Sequence, residues 1–149
     1  MRPATNCGAM VDTSRTVASA LVLDASAMVD LLLGTAASSA VQSALRGRPL
    51  AVPAHFDAEV LSAIGRLHRA GELTESAAAV RIERLVSAPL AREPLAPLLT
   101  GAWARRDDTR LADALYLELA AVLDTVVLTT DLRLARAHPT ATVVPRELT

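Results

Sequence analysis

Residues 20–26 read Ala-Leu-Val-Leu-Asp-Ala-Ser, and residues 126–131 read Val-Val-Leu-Thr-Thr-Asp. Each is a brief apolar run that breaks off into polar residues, with an acid at or just beyond its end. Runs this short and this apolar fit strands covered on both faces, as in a parallel sheet. The chain between them has the periodicity of helices. Ser26 can cap a helix through Met28, Leu31 and Leu32 that Gly34 stops, and a second short helix spans about Ala36 to Arg46. Residues 49–53 read as another strand. Phe56, Val60, Ile64 and Leu67 mark one face of a helix from about Ala54 to Ala70. A helix from Thr74 to Ser87, a strand over 90–95 and a helix from about Ala96 to Arg106 follow. Asp108 or Thr109 then caps a helix over Arg110 to Leu123. After Asp131 come a short helix, Leu132 to Ala137, and a last strand, Thr142-Val143-Val144. Strands alternate with helices and no hairpin signal intervenes, which predicts an α/β fold with a parallel sheet sandwiched between helices.

A chain of 149 residues fits one domain, here 18–149, with 1–17 read as a loose tail because it lacks periodicity. The hydrophobic fraction is 52%, supplied mostly by alanine and leucine, and aromatics are only 2%, which leaves little surface for stacking bases. Cys7 is the single cysteine, so one chain can form neither a disulfide framework nor a cysteine zinc site. No stretch reaches the roughly 18 apolar residues of a membrane span, and no compact apolar core of a signal peptide stands at the start. The expected compartment is the cytoplasm. Net charge is −1, and all 15 basic residues counted with lysine are arginine. The lack of lysine removes P-loop NTPases, haloacid-dehalogenase phosphatases and response-regulator receivers, each of which needs an ammonium group. Neither a Gly-x-Gly-x-x-Gly nor a Gly-x-Ser-x-Gly motif occurs.

Asp24 and Asp131 sit where open α/β sheets bind ligands, beyond the carboxyl ends of strands. Asp113 is an acid inside the apolar segment Leu111-Ala112-Asp113-Ala114-Leu115, and Glu59 lies in the first turns of its helix beside Val60. Burying carboxylates costs several kcal/mol unless something compensates them. A hard cation such as Mg²⁺ or Mn²⁺ would compensate all four and could activate water against a phosphodiester. Each acid also has an ordinary structural reading. Asp24 could be a turn residue or cap, Glu59 and Asp57 could complement a helix dipole, Asp113 could pair with Arg110, and Asp131 could cap the helix that follows it.

The segments 22–27 (Val-Leu-Asp-Ala-Ser-Ala), 53–60 (Pro-Ala-His-Phe-Asp-Ala-Glu-Val), 112–116 (Ala-Asp-Ala-Leu-Tyr) and 128–135 (Leu-Thr-Thr-Asp-Leu-Arg-Leu-Ala) together resemble a PIN domain, and more narrowly the VapC toxins of toxin–antitoxin pairs. The resemblance runs over about 21–144. It implies a three-layer α/β/α sandwich, a Mg²⁺- or Mn²⁺-dependent endoribonuclease, a homodimer, and neutralisation by a small cognate antitoxin. It assigns the family's four acids to Asp24, Glu59, Asp113 and Asp131, with Ser26 and Thr129 or Thr130 helping to hold ligands and water. The charged segment 107–110 leaves open whether Asp108 joins the site. RNA approaching an acidic cleft calls for arginines at its rim, and Arg66, Arg69, Arg105, Arg106, Arg110, Arg133 and Arg136 are the candidates. His55 and His68 are expected in surface or capping roles, Phe56 in the core, and Trp103 and Tyr116 in the core or an interface. Leu31 and Leu32 are expected to help receive an antitoxin helix. A non-catalytic binding module on the same fold and a DNA nuclease are the competing readings. Four retained acids argue against the first, and the lack of long insertions against the second.

Overall fold

Leu21–Leu23 (β1) carries no polar side chain, and all three of its residues are buried. A strand this apolar must be covered on both faces, so it takes the centre of the sheet. The computed structural model describes residues 19–146; the expected tail, Cys7 included, lies outside the described residues. Leu50–Pro53 (β2) pairs with one edge of β1 and Val127–Leu128 (β4) with the other, while Leu90–Glu93 (β3) and Thr142–Val143 (β5) complete the ends. All pairings are parallel, in the order β3-β2-β1-β4-β5. Leu21 and Val22 register with Leu50 and Ala51, and Val22 and Leu23 with Val127 and Leu128.

The helices follow from this order. Ala25–Leu33 (α1), Ser38–Leu45 (α2), Phe56–Arg69 (α3) and Glu75–Ser87 (α4) carry the crossovers from β1 to β2 to β3 and pack on one another. Leu99–Ala104 (α5), Leu111–Val122 (α6) and Leu132–Ala137 (α7) carry the crossovers in the reverse direction, and α6 lies against β1, β2 and β4. Right-handed crossovers that reverse direction place their helices on opposite faces, which makes the α/β/α sandwich. Phe56, Val60 and Ile64 of α3 are buried at the spacing expected of its inner face. Gly34 closes α1 at φ +66, a left-handed conformation that a side chain disfavours. Among the described residues no single helix is long and apolar enough to cross a membrane.

Several local expectations change. The helix expected from Ala54 begins at Phe56, because Pro53 belongs to β2 and Ala54 donates its amide to Glu93. The segment expected as one helix from Ala96 divides into a 3₁₀ turn, Ala96–Leu98, and α5, with Pro97 at its start. Neither Asp108 nor Thr109 caps α6. Both amides turn back onto the Arg105 carbonyl, and Arg110 takes the cap position with no side-chain bond. Ser26 lies inside the first turn of α1, with Asp24 at the cap position. Trp103 is 59% exposed, and the Arg106 guanidinium lies 5.2 Å from its ring centre.

Burial separates two of the chain's aromatic residues sharply. Phe56→Ala should cost about 3–5 kcal/mol of unfolding free energy, and Trp103→Ala less than about 1 kcal/mol, read from urea midpoints.

Candidate active site

The strand order reverses at β1, which has β2 on one side and β4 on the other. Loops leaving neighbouring strands there diverge to opposite faces and open a crevice. Asp24 follows β1 at this point, anchored by its amide on the Leu128 carbonyl at 2.9 Å. Its side chain is held by both walls of the crevice. The Ser26 hydroxyl donates to Oδ2 at 2.5 Å and the Thr129 hydroxyl donates to the same oxygen at 2.7 Å, so neither engages its other oxygen. Thr129 Oγ1 also accepts the Asp131 amide at 3.0 Å, and Ser26 Oγ accepts the Thr130 amide at 3.2 Å. The loop after β4 is thereby fastened to the loop after β1, with Thr130 contributing its backbone.

Two further acids face Asp24. Burial pushes the Asp24 carboxyl above its ordinary value, the two hydroxyls oppose that rise, and the negative charges of Asp113 and Glu59 add to it. Asp113, also buried, comes from the first turn of α6, and Glu59 from the first turn of α3. The Tyr116 phenol donates to Glu59 Oε2 at 2.5 Å. Burial and this bond push the phenol far above its ordinary value, so it remains a proton donor. His55 stands beside the same carboxylate, its Nε2 at 3.5 Å from Glu59 Oε2 and 3.1 Å from the Ala112 carbonyl oxygen, which requires the proton on Nε2.

Asp131 stands at the outer side. Its Oδ1 accepts the amides of Arg133 and Leu134 at 2.8 and 3.2 Å, so it does cap α7. Partial burial pushes its carboxyl up, but those amides and the Arg133 charge outweigh burial and hold it below the usual carboxylate range. Its Oδ2 meets Arg133 Nη2 at 3.2 Å, and the same nitrogen reaches Asp113 Oδ2 at 3.1 Å. Asp113 therefore pairs with Arg133 and not, as its spacing allowed, with Arg110.

The other expected residues divide. Arg66 lines a surface groove between α3 and α4 with His68 and Arg69, away from the acids' bonding network. Arg110 is exposed at the start of α6. Asp57 is taken by Arg92 in a two-pronged ion pair, at 2.6 and 3.1 Å, and so belongs to the α3–β3 packing. Asp108 is exposed, and among the described residues no ion pair ties it to the cluster. Leu32 is core and Leu31 lines only a shallow cleft with Gln42 and Leu45. The apolar groove beside the acids is instead made by Leu99, Ala102, Trp103, Leu111 and Leu115, bordered by His55, with a volume near 490 Å³. Tyr116, expected in the core or an interface, turns out to orient Glu59, and His55, expected as surface or cap, stands beside the same carboxylate with its Nε2 proton donated to the Ala112 carbonyl. Tyr116 had a signal in its position three residues after Asp113, on the same face of one helix.

The donor set has the chemistry of a hard-cation site, with buried or half-buried carboxylates, one of them raised by burial and, secondarily, by its neighbours' charges. Among the described residues no three such side chains already surround a common point. Loading a metal would therefore take side-chain rotation, with waters completing the shell as Mg²⁺ prefers. With that adjustment, Asp24, Asp113 and Glu59 fit a divalent ion.

Because the folded-state carboxyl of Asp24 titrates above its ordinary 3.8, its favourable contribution is complete below that pH and is lost as pH rises through the higher folded value. Asp24→Asn should therefore be more stable than the wild type to urea at pH 7 in chelator, and the gap should close as pH falls toward 3.8.

The model of the family described as "PIN domain" matches residues 21–138. Ribonuclease VapC3 of Mycobacterium tuberculosis is 55% identical over 122 residues, which are 81% of this chain and 89% of that protein. Ribonuclease VapC12 of the same organism is 39% identical over 118 residues, 79% of this chain and 92% of its own length. Among solved structures, a toxin–antitoxin complex from Klebsiella pneumoniae superposes at a TM-score of 0.62 with 19% identity, covering 87% of this chain and all of that one. A protein from Pyrobaculum aerophilum does so at 0.61 with 23% identity, over 86% and 87%. These two share the fold, and the sequence matches give the lineage: the chain belongs to the PIN-domain family and is of the VapC type.

Proposed function

We propose that this protein is an endoribonuclease, the toxin of a type II toxin–antitoxin pair, that cleaves RNA phosphodiester bonds with Mg²⁺ or Mn²⁺. The observation that carries the reading is the convergence of Asp24, Asp113 and Glu59 at the strand-order reversal, where burial raises the Asp24 carboxyl and the charges of the other two add to the rise. Identity of 55% to a protein named as a ribonuclease supports the same activity here.

In this reading Asp24, Asp113 and Glu59 hold the ion. When bound, it supplies a Lewis acid and lowers the pKa of a coordinated water. The chain's own residues do the remaining work. Ser26 and Thr129 fix the Asp24 carboxylate, Thr130 fixes Ser26, and Tyr116 fixes Glu59. Asp131 keeps the α7 start in place and acts on the centre through Arg133. Exposed Arg110 and Arg136 stand on the elements that carry Asp113 and Asp131, suited to phosphate contact that positions RNA without reading its bases. Residues 18–149 act as one nuclease domain in the cytoplasm, as a homodimer. The groove of Leu99, Trp103, Leu111 and Leu115 receives an apolar helix of the antitoxin beside the acids. The solved toxin–antitoxin complex of the same fold is in keeping with that partner.

Purified protein should cut total cellular RNA with Mn²⁺ or Mg²⁺ and stop in EDTA. Asp113→Asn should lose at least about a hundredfold in rate while keeping its fold by circular dichroism. Identical fragment patterns from both proteins, or no cutting with any metal, would leave a binding module on a PIN fold.

A further inference from the structure

Arg133 has an arrangement that a phosphate-binding arginine does not need. One nitrogen, Nη2, lies 3.1 Å from Asp113 Oδ2 and 3.2 Å from Asp131 Oδ2, bridging carboxylates from two different helices. It is the positive charge seated among the acids in the described residues, and its side chain is 57% exposed. The guanidinium itself faces solvent, so it can swing out of the crevice while Asp113 stays buried.

We propose that Arg133 is a built-in counter-ion that occupies the carboxylate cluster in the metal-free protein and must withdraw for a divalent ion to enter. The inference rests on the metal-dependent reading above. Several negative charges converge on this crevice, and burial with the neighbouring charges already disfavours ionised Asp24. A cation placed between Asp113 and Asp131 relieves part of that repulsion until a doubly charged ion relieves more. Both cations would draw on the Asp113 carboxylate, which makes Arg133 a competitor of the metal. Asp131 is then the second carboxylate of the arginine's seat. Its cap bonds to the amides of Arg133 and Leu134 hold the start of α7, and so the root of the arginine, within reach of Asp113. The device tunes how much metal the protein needs before it becomes competent.

The test is Mn²⁺ binding to the full chain after chelator treatment, by titration calorimetry, in wild type, Arg133→Gln and Arg133→Lys. Removing the guanidinium should lower the melting temperature of the metal-free protein and tighten Mn²⁺ binding about three- to tenfold, the scale of weak ion pairs with a solvent-facing arginine. Arg133→Lys, whose single ammonium spans two carboxylates poorly, should fall between the two, and carries the same comparison should the glutamine variant not fold. Equal or weaker Mn²⁺ affinity in Arg133→Gln, in a protein that still cuts RNA, would overturn the counter-ion role alone. No Mn²⁺ uptake by any variant, with no RNA cleavage, would overturn the metallonuclease reading and this inference with it.

Discussion

The pairing of β1 with β4 is the contact on which the rest depends. Val22 lies against Val127 and Leu23 against Leu128, so the two strands end level with one another. Their following loops then leave in opposite directions, and Asp24 comes within reach of Thr129 across 105 positions of chain. These four buried leucine and valine side chains at the sheet centre hold that register. A slip by one residue would draw Asp24 along the strand by about 3.3 Å and carry the acid away from its hydroxyl.

Around that junction the protein gathers more negative charge than its interior can hold comfortably. Two hydroxyls and a phenol each stabilise one carboxylate oxygen, and Arg133 supplies the positive charge. Hydroxyls soften repulsion without cancelling it, because they add no charge. Burial raises the Asp24 carboxyl most, and the uncancelled repulsion adds to that rise. A fold that tolerates such a cluster gives up stability where its charges converge, a trade common where chemistry is done.

Structural and functional readings of one residue need not exclude each other. Asp131 caps α7 with one oxygen and faces Arg133 with the other. Ser26 gives up the capping role that its position invites, and its hydroxyl serves Asp24 instead. Asp57 shows the opposite outcome: two residues before Glu59 on the same helix, it faces Arg92 and serves packing alone.

Much was legible from the chain because the signals are local. Apolar runs at 21–23 and 126–128, helical spacing through Phe56, Val60 and Ile64, and an acid stranded at 113 each reflect a demand for burial that neighbouring residues express together. These determined an α/β sandwich and nominated the four acids. Helix starts at Phe56 and Leu111 were misjudged: Pro53 joins a strand whose partner, Glu93, is distant in sequence, and the turn before Arg110 closes on the Arg105 carbonyl in place of a side-chain cap. Which arginine meets Asp113 was likewise beyond local reading. Arg110 has the helical spacing, but Arg133 arrives from another helix through the order of the strands. Distances between side chains on separate elements depend on sheet register and crossover direction, and only the tertiary structure decides those.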